Sequence, residues 1–371
     1  LAGKDLLGRG KTGSGKTIAF AIPLVTALAK SDERTRQGSP RGLVLVPTRE
    51  LANQVAATIA PLAKAMGLRH TVVYGGVGFG NQTAALKSGV DIVIACPGRL
   101  EDLIGQGHCR LDRVQVTVLD EADHMADMGF LPGVKRIMDR TPSDSQRLLF
   151  SATLDNDVKV LIDRYLHNPV NHALDPVDSP VEAMTHHQVE TSLGDKLAVV
   201  TRLASGPDRS LLFTRTKHGA KKLVQQLGKS GIPAVDLHGN LSQNARERNL
   251  ADFSSGQVKV LVATDIAARG IHVDDVRLVV HVDPPAEHKA FLHRSGRTAR
   301  AGAEGLVVTV VTPEQRKDVR SMTRSAGIKP IVTEAVHGKH PLLESLAGPA
   351  QPPRTIAQID HIAQHGRPRQ T

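Results

Sequence analysis

Tryptophan is absent from this chain, tyrosine occurs twice and phenylalanine seven times in 371 residues. Proteins that grip single strands by stacking their bases need exposed aromatic platforms, and Phe20, Phe150 and Phe213 lie inside apolar runs that predict burial. If the chain binds nucleic acid, the phosphate backbone is the expected handle. Cysteine is scarcer still. Cys96 and Cys109 are spaced for neither a zinc site nor a redox pair, so reduced structural thiols are expected. No apolar run approaches the roughly 20 residues that cross a bilayer, and no charged, apolar and small-residue signal opens the chain. The expectation is a cytoplasmic chain with no membrane contact. Acidic residues are also in deficit: 37 Asp and Glu against 47 Lys and Arg leave a net charge of +10. That balance suits a polyanionic partner, although a basic surface serves solubility as well.

What is present is globular: 40% hydrophobic residues, 33 glycines and a length beyond what one core usually serves, which predicts two domains. Val118-Leu119-Asp120-Glu121-Ala122-Asp123 closes an apolar run with three carboxylates. A run apolar on both faces reads as a strand of a parallel sheet, and its last residues emerge at the carboxyl edge, where open α/β folds bind ligands. Alone, such acids are as compatible with a solvated strand end or a helix cap.

Upstream, Gly10-Lys11-Thr12-Gly13-Ser14-Gly15-Lys16-Thr17 matches the phosphate-loop pattern G-x-x-x-x-G-K-[ST] and opens an apolar helix. Its glycines and Ser14 let backbone N–H groups approach phosphates, Lys16 neutralises their charge, and the Thr17 hydroxyl can ligate Mg²⁺. Asp120 then suits a hydrated Mg²⁺, and Glu121 suits the orientation and deprotonation of an attacking water. The two clusters together call for ATP or a similar nucleotide.

A short β-branched run, a polar cluster and a helical stretch recur along the chain. In the first half the runs are 42–46, 70–74, 91–95, 114–119 and 147–150; after a Pro-containing stretch they resume at 210–213, 234–237, 259–263, 277–282 and 305–311. Strands alternating with helical patterns imply doubly wound parallel sheets, two in tandem, the second without a phosphate loop. The run His293-Arg294-Ser295-Gly296-Arg297-Thr298-Ala299-Arg300 gathers three arginines. Arg297 and Arg300 read as fingers reaching a terminal phosphate from the second domain; the bland alternative is a solvated basic helix start. Beyond residue 315 the pattern dissolves into Arg, Lys, His, Pro and Gly, a solvated tail or an electrostatic tether.

In this order the motifs resemble the DEAD-box family of ATP-dependent RNA helicases, whose name Asp120-Glu121-Ala122-Asp123 spells. Pro47-Thr48-Arg49-Glu50-Leu51, Gly75-Gly76, Pro97-Gly98-Arg99, Ser151-Ala152-Thr153, Gln243-Asn244-Ala245-Arg246, Thr264-Asp265 with Ala268-Arg269-Gly270, and the 293–300 run all correspond. The resemblance implies two RecA-like domains, with boundaries here at 1–174 and 185–314, a linker at 175–184 and a basic, flexible tail at 315–371. It implies RNA-backbone contacts at Thr48, Arg49, Gly76, Gly98, Arg99, Arg215, Gly239 and Thr264, and a nucleotide contact at Gly270. It also implies that Ser151 and Thr153 hydrogen-bond towards Asp123 and His293 and so couple the two sites, with a helix cap as the plainer role for Ser151.

Implied activity is ATP hydrolysis to ADP and phosphate, separating short RNA duplexes locally or remodelling ribonucleoprotein, by a monomer that binds single-stranded and duplex RNA. The alternative is an ATP-gated RNA clamp or scaffold. Three departures qualify the match. Family members carry an upstream glutamine motif that reads adenine, but only nine residues precede Gly10, and the first is Leu1. Weaker ATP affinity and poorer discrimination against GTP are therefore expected. His272 stands where an acid is common, and Cys96 where threonine is.

Overall fold

Each apolar run becomes a strand because neighbouring side chains point to opposite faces and both faces are covered. The computed structural model describes residues 3–10, 15–173, 184–268, 273, 275–299 and 304–355. The chain divides into two compact units, each carrying one seven-stranded sheet in which every pairing is parallel.

In the first unit the strands are β1 (Leu6–Arg9), β2 (Gly42–Leu45), β3 (His70–Val73), β4 (Ile92–Ala95), β5 (Val116–Leu119), β6 (Gln146–Ser151) and β7 (Val170–Ala173). Their order is β3-β4-β2-β5-β6-β1-β7. Leu43, Leu45, Val93, Leu119 and Leu149 join one apolar cluster, completed by Leu100, Leu103, Ile137, Val158 and Leu161 from helices. Their chain neighbours Val44, Ile92, Ile94, Val118 and Leu148 join a second, completed by the helices Lys16–Lys30 and Arg49–Ala65. Burial of each such side chain contributes about 1.5–3 kcal/mol. Cys96 and Cys109 are unpaired, and burial pushes both thiols up to about 12.

The second unit repeats the plan with β8 (Met184–Glu190), β9 (Arg209–Phe213), β10 (Ala234–Leu237), β11 (Val260–Ala263), β12 (Val276–His281), β13 (Gly305–Val311) and β14 (Ile331–Thr333). Their order is β10-β11-β9-β12-β13-β8-β14, the same permutation shifted by seven.

The expected flexible tail from 315 is corrected by this repeat. β14 pairs with β8 as β7 pairs with β1, and the helix Arg316–Ser325 buries Val319 and Met322 against Phe291 and Val311. Leu343, Leu346 and Ala347 of the helix Pro341–Ala347 join the core with Val199, Val200 and Leu203. Gln351 N then donates to Ser205 O (2.8 Å) and Arg354 N to Gly231 O (2.8 Å). The apolar residues responsible are spaced among charges, so their burial outweighs a polar composition. Residues 356–371 lie outside the described residues, as does the expected linker except Met184, which opens β8.

Leu343 is fully buried. Leu343→Ala is expected to lower the unfolding free energy by about 2–5 kcal/mol, read as a fall in the urea midpoint. A solvated tail would leave that midpoint unchanged.

Candidate active site

Both faces of the first sheet are packed, so polar chemistry is confined to strand ends, and the candidates follow carboxyl ends in spatial order. Lys16 follows β1, Ser151 closes β6 and Asp120 follows β5; Thr48, Gly98 and Gly76 follow β2, β4 and β3. Nucleotide candidates therefore occupy one half of this edge and RNA candidates the other.

Gly15 adopts a left-handed conformation (φ 81°) immediately before the helix Lys16–Lys30, whose first turn carries no acid. A side chain built there meets nothing within 4 Å among the described residues, and a helix start without an acid is suited to anions. Lys16 is buried, and its Nζ donates to Gly10 O at 2.6 Å, a bond that a phosphate oxygen can replace. Thr17 follows in the first turn. Gly13 and Ser14 lie outside the described residues, as do Gly270 and Arg300.

The three acids are all buried yet differ in surroundings. Asp120 N donates to Leu45 O (3.0 Å), and one Asp120 carboxyl oxygen accepts from Glu121 N (3.0 Å). Burial pushes the Asp120 carboxyl up to about 7; Lys16 opposes the rise, while the charges of Glu121 and Asp123 add to it. Such a carboxyl, short of positive charge, fits a hydrated divalent cation shared with the Thr17 hydroxyl. Glu121 sits at φ 53°, a left-handed conformation unusual for a non-glycine residue and costing about 1–3 kcal/mol. Its Oε2 lies 2.8 Å from His124 Nδ1, which fixes the carboxylate's direction.

Asp123 is tied into the fold. Its Oδ2 accepts from Thr153 N (3.0 Å) and Thr153 Oγ1 (3.2 Å), while Oδ1 accepts from His124 N (3.1 Å). Ser151 Oγ accepts from Asp123 N (3.3 Å) and donates to Thr153 O (2.7 Å). Ser151 is thus linked to Asp123, whereas the plainer role of helix cap falls to Asp155, whose side chain accepts from Asp157 N and Val158 N at the start of the helix Asn156–Tyr165. His124 escaped the sequence reading, although its place three residues after Glu121 was the available signal.

Among the RNA candidates of this unit, Thr48 caps the helix Arg49–Ala65, with its hydroxyl accepting from Leu51 N (3.3 Å). The Arg49 guanidinium lies against Gly76, where it leaves no room for a Cβ. Gly98 faces open space. Arg99 is buried, donating from Nη2 to Val77 O (2.9 Å).

In the second unit the permutation repeats: Arg215, Gly239 and Thr264 follow β9, β10 and β11, the counterparts of β2, β3 and β4. Arg215 is exposed, with its backbone N donating to Asp283 Oδ2 (3.0 Å). Gly239 faces open space, and Thr264 N donates to Leu237 O (3.2 Å). The arginine run corrects the alternative of a solvated basic helix start. His293 lies in the last turn of the helix His288–Ser295, and Arg294 and Arg297 are buried. Arg294 is consumed by the fold, pairing with both Asp265 carboxylate oxygens and donating to Asp283 O (2.7 Å).

Two family models match the chain: DEAD/DEAH box helicase over residues 1–161 and helicase conserved C-terminal domain over 195–302. DEAD-box ATP-dependent RNA helicase 3A, chloroplastic, of Zea mays is 43% identical over 338 residues, 89% of this chain and 45% of the relative. DEAD-box ATP-dependent RNA helicase CshA of Bacillus licheniformis is 36% identical over 349 residues, 91% of this chain and 70% of the relative. The chain spans about half the length of the plant relatives it matches. Among solved structures, S. cerevisiae Dbp5 bound to RNA and ADP BeF3 has a TM-score of 0.77 at 27% identity, covering 89% of this chain and 85% of that one. Mss116p bound to ssRNA and AMP-PNP has a TM-score of 0.76 at 27% identity, with coverage of 93% and 73%. No helix among the described residues is long and apolar enough to cross a membrane.

With divalent ions chelated, the Asp120 carboxyl ionises at about 7 in the folded chain and in the ordinary carboxylate range when unfolded. Between those limits the unfolded state sheds the proton first, so stability falls as pH rises and the loss is complete above about 7. Asp120→Asn removes this group's part of the slope. Urea midpoints should show the variant more stable than the parent at about pH 8 and level with it near about pH 4.

Proposed function

Because the chain belongs to the DEAD/DEAH box helicase family, we propose that it is an RNA-stimulated ATPase. In this reading it hydrolyses ATP to ADP and phosphate to separate short RNA duplexes locally or to remodel ribonucleoprotein. The observation that carries this reading is the shared carboxyl edge of the first sheet: an acid-free helix start with Lys16, beside buried Asp120 and Glu121, continues into glycines and Arg49, which suit phosphates. The helicase relatives and the RNA-bound solved structures point the same way.

Lys16 and the backbone of Gly13, Ser14 and Gly15 hold the phosphates. Thr17 and Asp120 would hold Mg²⁺, which when bound neutralises phosphate charge. Glu121, directed by His124, orients the attacking water and takes its proton. Arg297 and Arg300 stabilise charge on the transferring phosphoryl group, and Gly270 contributes to the nucleotide contact. Asp123, Ser151 and Thr153, with His293 from the second unit, relay the state of the phosphate site. Thr48, Arg49, Gly76, Gly98, Arg215, Gly239 and Thr264 engage the RNA backbone, so binding depends little on sequence. Duplex separation follows if the nucleotide-bound protein accepts a distorted single strand better than a regular helix, because binding then stabilises the strained form.

Glu121→Gln should lower RNA-stimulated phosphate release by about 10²–10⁴-fold while RNA binding persists. Arg297→Ala should lower it by about 10³–10⁵-fold. Both are read by a phosphate-release assay with and without RNA. A parent chain that hydrolyses ATP at the same rate with and without RNA, and leaves a short RNA duplex intact, would refute the proposal.

A further inference from the structure

The loop Gly75-Gly76-Val77-Gly78-Phe79-Gly80 places four glycines in six positions after β3. Side chains built on Gly75, Gly78 or Gly80 would meet nothing within 4 Å among the described residues, so the backbone is open to a ligand. Such a segment loses more conformational freedom on ordering than any other composition, and it needs braces.

Two are present. At its root the Gln82 amide grips both sides of one residue, Oε1 accepting from Tyr74 N (3.2 Å) and Nε2 donating to Tyr74 O (3.1 Å). Further along, Arg99 donates from Nη2 to Val77 O (2.9 Å), and its guanidinium carbon lies 3.9 Å from the centroid of the Phe79 ring. Arg99 is only 9% exposed, and its Nη1 is shielded from solvent with no hydrogen-bond partner among the described residues. A phosphate oxygen can pair with that atom only if the atom first becomes accessible. Phe79, at 38% exposed, is an exception to the burial of Phe20, Phe150 and Phe213.

We infer that Arg99 and Phe79 form a brace that positions the glycine loop for the RNA backbone, and that Arg99 does not itself pair with a phosphate. The inference rests on the RNA-binding reading above and deepens it, because it separates residues that carry charge to the ligand from those that hold its cradle. A direct phosphate partner and a brace differ in one measurable respect. Each phosphate neutralised on a single strand contributes about 0.7 to the slope of log affinity against log salt. A brace changes affinity and leaves that slope alone.

The test is fluorescence anisotropy with a labelled oligouridylate, titrated at several salt concentrations in the presence of a non-hydrolysable ATP analogue. Arg99→Ala and Phe79→Leu should each weaken binding about fivefold, the factor implied by loss of one cation–π contact, with the slope of the parent. The double variant should be no weaker than the weaker single, and Phe79→Trp should restore parent affinity. Exposed Arg215 is the control: Arg215→Ala should reduce the slope by about 0.7. A slope reduced by about 0.7 in Arg99→Ala, parental affinity in Phe79→Leu, or multiplying effects in the double variant would overturn the brace. A parent that binds no oligouridylate would instead overturn the reading beneath it.

Discussion

Everything polar in the proposed chemistry is constrained by one packing fact: the central strands of each sheet are buried on both faces. Val44 and Leu45, or Val118 and Leu119, face opposite clusters, and neither face has room for a ligand. Reactive side chains are left only the positions where strands end, and a parallel sheet presents those ends together. The strand permutation then decides which side chains are neighbours. Since β6 lies between β5 and β1, Ser151 and Thr153 stand between the acids and the phosphate helix. The same permutation in the second unit sets Arg215, Gly239 and Thr264 in the order of their first-unit counterparts.

Within that constraint, three acids close in sequence acquire three characters from their surroundings. Asp123 is saturated by Thr153 and His124 and cannot leave its place without breaking a buried network, a loss more costly than any one bond. Asp120 has little such compensation and is held towards its neutral form until positive charge arrives. Glu121 stores strain in a left-handed backbone. In the proposed function the Mg²⁺ that accompanies the nucleotide would supply the positive charge at Asp120, three residues before Asp123, whose hydrogen bonds connect to Ser151 and Thr153; that adjacency is the route we propose from chemistry to conformation.

Much of this was legible beforehand. The β-branched apolar runs announced their strands because both faces of a parallel sheet demand apolar residues, and the phosphate loop and acids announced themselves by spacing. The misses share a cause. β8 reads Met-Thr-His-His-Gln-Val-Glu, whose buried Gln188 and Glu190 bond each other (2.8 Å), with Arg316 2.6 Å from Glu190, so tertiary partners conceal the apolar signature of a strand. β7 and β14 are edge strands with exposed side chains, and no periodicity marks them. At the site, sequence could assign a cluster of residues but not their exposure. Arg99 looked like a phosphate ligand and is buried under Phe79, whereas Arg294, one of three similar arginines, is spent on Asp265.

The central claim is that nucleotide and RNA bind at sites that share one structural edge and are energetically coupled through it. The direct measurement is RNA affinity of this chain with and without a non-hydrolysable ATP analogue, paired with the analogue's affinity with and without RNA. Coupling predicts that each ligand tightens the other by the same factor, about 5- to 150-fold. Affinities unchanged by the second ligand in both directions would contradict it.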